Sequence, residues 1–307
     1  MEKQAFIWRM EKMVAVQGAS MKKRAYAKIN LSLDIVGRLE NGYHLVDMIM
    51  QMIDLYDELT FSVTEDTRIV IETNQKELPL NEDNLIYKAI EAMRKRFHIK
   101  QGVKVYLEKR IPIAAGMAGG SSDCAQTLIA VNDLFSLGLT KEELREIGVT
   151  LGADVAFCIE GISARAQGIG EQLKQVSSMP SCYLVIANPG IFVSTKGVYE
   201  DFDKKEAVKH PNVDGMVAAL EQSKIEEVAK ELGNVLETVT LEQHKEIGAL
   251  KAFLIEQGAL GALMSGSGPT VFGIFQEKEQ AIEAKERLQK EKKVFFATVC
   301  MPLNQID

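Results

Sequence analysis

Residues 112 to 123 read Pro-Ile-Ala-Ala-Gly-Met-Ala-Gly-Gly-Ser-Ser-Asp, between a strand-like stretch and a helix-like one. Residue types at this spacing suit phosphate binding. Gly116, Gly119 and Gly120 remove Cβ atoms where backbone N–H groups must approach an anion, and an amphipathic helix starting near Ser121 adds the positive end of its dipole. Ser121, Ser122 and Asp123 also suit a helix N-cap, so a capped turn asks for much the same residues. The loop lacks the lysine of the Gly-x-x-x-x-Gly-Lys-Ser/Thr phosphate loop. It also lies too far along the chain for the first turn of a doubly wound dinucleotide fold. The His-Arg-Asp and Asp-Phe-Gly triplets of protein kinases do not occur.

Three further segments carry reactive side chains. Ala27-Lys28-Ile29-Asn30 sets a lysine and an amide two residues apart in a strand-like stretch, where alternate side chains share a face. Gly152-Ala153-Asp154-Val155 places one acid among small residues within the apolar run 151–159, and residues 263–272 hold a second glycine/serine turn, Gly266-Ser267-Gly268-Pro269. Each has a plainer reading: a strand-edge lysine, a helix N-cap and a strand-joining turn.

Taken with the glycine-rich loop and in this order, these segments resemble the GHMP kinases from about residue 22 to the C-terminus. Gly42-Tyr43-His44 and Glu82-Asp83-Asn84-Leu85 narrow the resemblance to the branch that phosphorylates the 2-hydroxyl of a cytidine-diphosphate-linked methylerythritol. The resemblance implies ATP and Mg²⁺ as cofactors, with Lys28 and Asp154 catalytic. Asp154 would orient the acceptor hydroxyl and take its proton late, while Lys28 would keep that acid ionised and stabilise transferred charge. Donor binding falls to Asn84, Pro112, Ala114, Ala115, Gly116, Met117, Ala118, Gly119, Gly120, Ser121 and Ser122. A serine hydroxyl there would touch phosphate or Mg²⁺, and no other metal ligand is assigned. Acceptor binding falls to Asn30, Tyr43, His44, Thr195 and Tyr199, the two tyrosines sandwiching cytosine and His44 reading it by hydrogen bonds. An Asn41-Gly42 β-turn and core packing of Tyr199 are the plainer readings. The chain departs from the family where Tyr26 and Ala156 replace prolines. Loss of the second leaves the backbone around Asp154 less constrained in φ.

The rival readings are a GHMP kinase for mevalonate or homoserine, which have no base to stack, and a non-catalytic binding module. Retention of Lys28 and Asp154 argues against the latter. A net charge of −7 over 307 residues disfavours nonspecific nucleic-acid binding. It also requires positive potential to be concentrated locally for two anionic substrates. Arg24 and Lys28, and Lys109 with Arg110 just before the loop, are placed to supply it, whereas Lys22 and Lys23 read as solvated strand-edge residues. No apolar run reaches the roughly 18 residues of a membrane helix, and the first 20 residues lack a signal-peptide pattern. A cytoplasmic monomer or weak homodimer without membrane partner is expected. Cys124, Cys158, Cys182 and Cys300 lack metal-binding or redox spacing and read as free thiols.

To position these residues the chain must supply strands over 24–73, a helix from Asn84 to Phe97, a strand from Val103 and a helix after the loop. A helix opened by the capping box Thr140-x-x-Glu143 follows. Strands return over 162–176, with a break near Ser177 to Pro180. A buried strand at 183–187, helices over 212–256, strands flanking the second turn, a charged helix from Glu277 and a last strand complete an α+β chain. Residues 1–20 are read as an N-terminal extension, 21–178 as an ATP-binding N-terminal domain and 179–307 as a C-terminal domain. The resemblance implies that the first domain is ribosomal-protein-S5-like and the second ferredoxin-like, with the active site in the cleft between them.

Overall fold

The computed structural model describes residues 19–292 and 294–304, so nearly all of the expected extension over 1–20 lies outside the described residues. The chain forms two compact units that interleave in sequence. Among the described residues, the first comprises those up to Tyr26, Tyr56–Arg110 and Gly119–Glu160; the second comprises Ala27–Leu55, Ile111–Ala118 and those from Gly161 on. Strands β1 (Ser20–Arg38) and β2 (His44–Thr64) each run through both.

In the first unit, β3 (Ile69–Thr73) pairs parallel with β4 (Gly102–Glu108), and β4 pairs antiparallel with the second half of β2, Phe61 opposite Val105. Valine and leucine alternate with polar residues along β4, so Val103, Val105 and Leu107 are buried and Lys104 and Tyr106 exposed. A parallel pair needs a long crossover, and α1 (Leu85–Phe97) provides it. Asn84 caps α1 by accepting from Ile86 N, and Arg94, Lys95 and Arg96 face the negative end of its dipole. After α2 (Gly119–Leu134), the capping box forms as expected at α3 (Lys141–Val149), and α4 (Val155–Glu160) closes the unit. Helix α2 packs between α1 and α4. It is buried on nearly every side from Ser122 to Leu128, and in this it differs from the amphipathic helix expected.

In the second unit, the first half of β2 pairs with β5 (Ala164–Gln167), which pairs with β6 (Gln172–Gln175). Strand β7 (Tyr183–Asn188) is followed by five helices: α5 (Thr195–Phe202), α6 (Val213–Glu221), α7 (Ile225–Lys230), α8 (Glu237–Gln243) and α9 (Lys245–Glu256). The two-residue β8 (Gly233–Asn234) lies among them and pairs parallel with β1. Then come β9 (Gly261–Met264), β10 (Val271–Phe275), α10 (Lys278–Arg287) and β11 (Phe296–Cys300). The antiparallel sheet order β11-β7-β10-β9, with helices between the first and second and between the third and fourth strands, is the ferredoxin-like arrangement. Helix α5, at the start of which Thr195 stands, was not evident in the sequence; Ser194 caps it by accepting from Gly197 N. The core of this unit includes Ile29, Leu31, Ile49, Met117, Leu184 and Phe272.

Candidate active site

The loop's backbone has a regular form. Ala114, Gly116 and Ala118 take φ of 52°, 72° and 55°, with no positive φ at Ala115 or Met117 between them. Positive φ at alternate residues is a feature of the backbone nests that bind anions. Left-handed backbone costs an alanine roughly 1–2 kcal/mol, and such strain is concentrated at functional sites. Buried Ala115 and Met117 root the loop in the core, while Ile113 and Ala114 are exposed.

Within the second unit, β1 and the second glycine turn hold the loop. Lys28 N donates to Met117 O at 3.1 Å, and Ser265 Oγ donates to Gly116 O at 2.9 Å. A Cβ on Gly116 would strike the Ser265 carbonyl oxygen, and one on Gly266 would come within 3.1 Å of the Gly116 oxygen. Both glycines therefore allow backbone to meet backbone. Lys28 is only 4% exposed, and its Nζ donates to Asn30 Oδ1 at 2.7 Å, as expected for two residues on one strand face. The same oxygen accepts from Gly266 N at 3.1 Å. Thr195 Oγ1 lies 2.8 Å from Ser267 Oγ. The structure thus gathers Lys28, Asn30, Gly116, Gly266, Ser267 and Thr195 into one polar network.

A separate aromatic cluster lies in the same unit. Residues 40–42 form the turn between β1 and β2, with Gly42 at φ 90° and Leu39 N donating to Tyr43 O at 2.7 Å, so the turn reading of Asn41-Gly42 holds. Tyr43 is 61% exposed. The ring against Tyr199 is His44, with centroids 4.9 Å apart and tilted by 48°. His44 Nε2 lies 2.6 Å from Asp203 Oδ1, and Arg38 pairs with the other oxygen of that carboxylate at 3.0 Å. Asp203 and Arg38 were not singled out from sequence. The acidic run after Tyr199 was visible there, but no spacing rule ties Asp203 to a histidine 159 positions earlier.

In the first unit, α2 begins at Gly119, two residues before the expected start. Ser121 and Ser122 therefore stand in its first turn rather than at its cap; Ser121 is half-buried and Ser122 buried. Asn84 both caps α1 and donates from Nδ2 to Pro79 O at 2.7 Å. The end of α1 that it caps faces Gly120, whose Cβ position is 3.8 Å from Leu85. A Cβ on Gly152 would lie 3.8 Å from Ser121 Oγ, so the Gly-Ala-Asp segment adjoins the start of α2. Asp154 is half-buried and immediately precedes α4, its carbonyl accepting from Cys158 N at 3.0 Å. Ala156 is buried in the first turn of that helix. Tyr26 packs edge-on against Tyr56 at 5.3 Å. Lys22 and Lys23 pair at the surface with Glu58 and Asp133, as solvated edge residues do.

Lys109 and Arg110 correct an expectation, since neither is a free cation before the loop. Lys109 is buried, with Nζ 2.5 Å from Asp57 and 2.7 Å from Asp123. Burial draws its pKa down, but the two carboxylates outweigh that and leave it raised. Burial pushes Asp123 up to about 7, an effect that Lys109 opposes and Asp57 reinforces. Arg110 lies 5.1 Å over the Tyr56 ring and pairs with Glu108 at 3.0 Å. Asp57 lies 52 residues before Lys109 and Asp123 lies 14 residues after it, across the loop, and no local spacing rule brings either to it. All four cysteines are free and buried. Among the described residues no helix is long and apolar enough to cross a membrane.

Residues 84–161 match the family described as GHMP kinases N terminal domain, and residues 216–294 match GHMP kinases C terminal. A 4-diphosphocytidyl-2-C-methyl-D-erythritol kinase of Clostridioides difficile (strain 630) is 46% identical over 277 residues, covering 90% of this chain and 94% of that protein. The crystal structure of a 4-(cytidine 5'-diphospho)-2C-methyl-D-erythritol kinase superposes with a TM-score of 0.77 at 30% identity, covering 92% of this chain and 99% of that one. A homoserine kinase from Cytophaga hutchinsonii superposes with a TM-score of 0.75 at 20% identity, over 93% of this chain and 95% of its own, and shares the fold. The chain belongs to the GHMP kinase family, alongside the 4-diphosphocytidyl-2-C-methyl-D-erythritol kinases.

Proposed function

We propose that this protein transfers the γ-phosphoryl group of ATP to the 2-hydroxyl of 4-diphosphocytidyl-2-C-methyl-D-erythritol, giving the 2-phosphate and ADP in non-mevalonate isoprenoid precursor biosynthesis. The observation that carries the choice of acceptor is the aromatic cluster, in which Tyr199 meets His44 beside exposed Tyr43. Mevalonate and homoserine offer nothing for such rings to stack on.

A serine hydroxyl at the start of α2, from Ser121 or Ser122, would touch phosphate or hold Mg²⁺, whose charge would offset that of the donor phosphates. Pro112 to Ser122 bind the α- and β-phosphates through backbone N–H groups, a role that the positive φ values at Ala114, Gly116 and Ala118 support, and the dipole of α2 favours an anion at its start. Asn84 borders the adenine. Asp154 orients the acceptor hydroxyl and accepts its proton as the new O–P bond forms and the bond to the β-phosphate oxygen breaks. Lys28, steered by Asn30, neutralises charge on the transferred group. Asn30 and Thr195 contact the acceptor. The protein acts in the cytoplasm as a monomer or weak homodimer, and its family modules divide near residues 178 and 179, between the two matched segments.

ADP release from Mg-ATP with purified protein tests the reading, with the cytidine diphosphate compound, mevalonate and homoserine as acceptors. Turnover confined to the first is the expected result; turnover confined to mevalonate would overturn the assignment.

A further inference from the structure

Three ionisable side chains are buried together in the first unit, and the proposed mechanism uses none of them. Lys109 and Arg110 lead into the glycine-rich loop, whereas Asp123 stands just beyond it in α2. Lys109 Nζ bridges Asp123 Oδ2 at 2.7 Å and Asp57 Oδ2 at 2.5 Å. Asp57 Oδ1 accepts from Arg110 N at 2.6 Å. The chain entering the loop and the helix leaving it are thus tied to one point on β2.

As a device for stability alone this cluster is poorly made. It holds two carboxylates against one ammonium, all at least 95% buried, and Asp123 Oδ1 has no hydrogen-bond partner. Buried ion groups are often matched or bettered by apolar residues of similar size. A buried ion cluster with an unmatched carboxyl oxygen, kept between the entrance of the loop and the start of α2, calls for a reason other than packing. Asp123 directly follows Ser121 and Ser122, whose N–H groups and hydroxyls are to meet phosphate. A displacement of about 1 Å there can cost roughly a hundredfold in rate.

We propose that Asp123 is a positioning residue for the donor phosphates, clamped by Lys109 and Asp57 so that the start of α2 keeps its place relative to the entrance of the loop. The inference rests on the reading of that loop as the ATP site. The test is Asp123→Asn at pH 8, with steady-state kinetics, titration with Mg-ATP alone and thermal melting, wild type alongside. The expected result is a KM and Kd for Mg-ATP raised about tenfold, an acceptor KM within about twofold and a melting temperature no lower than wild type. A destabilised scaffold would not give that split. Should Asp123→Asn yield no folded protein, Asp123→Leu, which leaves Lys109 and Asp57 as a neutral pair, carries the same test. Unchanged Mg-ATP binding, or equal rises in both KM values with a lower melting temperature, overturns the proposal while leaving the kinase assignment standing. A wild type that binds no Mg-ATP removes both.

Discussion

Asp123→Asn also makes a prediction about stability. The Asp123 carboxyl moves from an ordinary 3.8 to about 7 on folding because burial disfavours its anion and Asp57 adds to the effect, with Lys109 compensating only in part. A carboxyl whose folded pKa is raised contributes stability that is complete below about pH 4 and is lost as pH rises through 7. At about 1.4 kcal/mol for each tenfold change in proton affinity, the loss between pH 4 and pH 8 approaches about 4 kcal/mol. Asparagine carries no such proton. The variant should therefore gain on the wild type as pH rises, from near parity at pH 5 to an advantage of a few kcal/mol at pH 8. Lys109, raised from 10.5, titrates above this window and does not interfere. Urea denaturation of both proteins at intervals from pH 5 to pH 8 measures the difference through midpoint and slope. A difference that stays constant, or that shifts against the variant with rising pH, would refute the account of a buried net negative cluster.

The remaining predictions concern activity. Asp154→Asn should lower kcat by about 10²–10⁴ while Mg-ATP binding survives; near-normal turnover removes Asp154 from proton acceptance. His44→Ala removes the side chain assigned to hydrogen-bond the base, and a loss of roughly 0.5–1.5 kcal/mol corresponds to an acceptor KM raised about 2- to 12-fold. An unchanged acceptor KM would dissociate that side chain from base recognition. Gly116→Val combines a left-handed φ of 72° with a collision at the Ser265 carbonyl, so Mg-ATP binding should fall below detection in calorimetry even where the far-ultraviolet spectrum is native. Retained binding would mean the loop does not need its present form.

Much of the scaffold was legible because local rules decided it. Alternation along Val103-Lys104-Val105-Tyr106-Leu107 makes a one-sided strand wherever it packs, and Thr140 with Glu143 closes its capping box from four adjacent residues. Lys28 and Asn30 share a face because strand side chains alternate, and their 2.7 Å contact follows from that geometry. Helix α5 escaped notice because eight residues leave too short a pattern to separate from a loop. The start of α2 lies two residues earlier than expected because Gly119 and Gly120, weak helix formers, nevertheless make its first residues.

By itself the sequence determined the chemistry on offer: a glycine-rich loop whose residue types suit phosphate, a lysine and an amide sharing a strand face, one acid among small residues, and an aromatic pair beside a turn. What those groups face was decided only by tertiary structure. Lys109 looked like a cation for phosphate until Asp57 and Asp123 were brought to it, and the Asp203 carboxylate that meets His44 from 159 positions away had no sign in the sequence. Electrostatic effects act through distance in space and through the dielectric of the surroundings, and neither is a property of sequence neighbours. Residue types announce which reactions are possible, while burial and long-range pairing decide which charges remain free to take part.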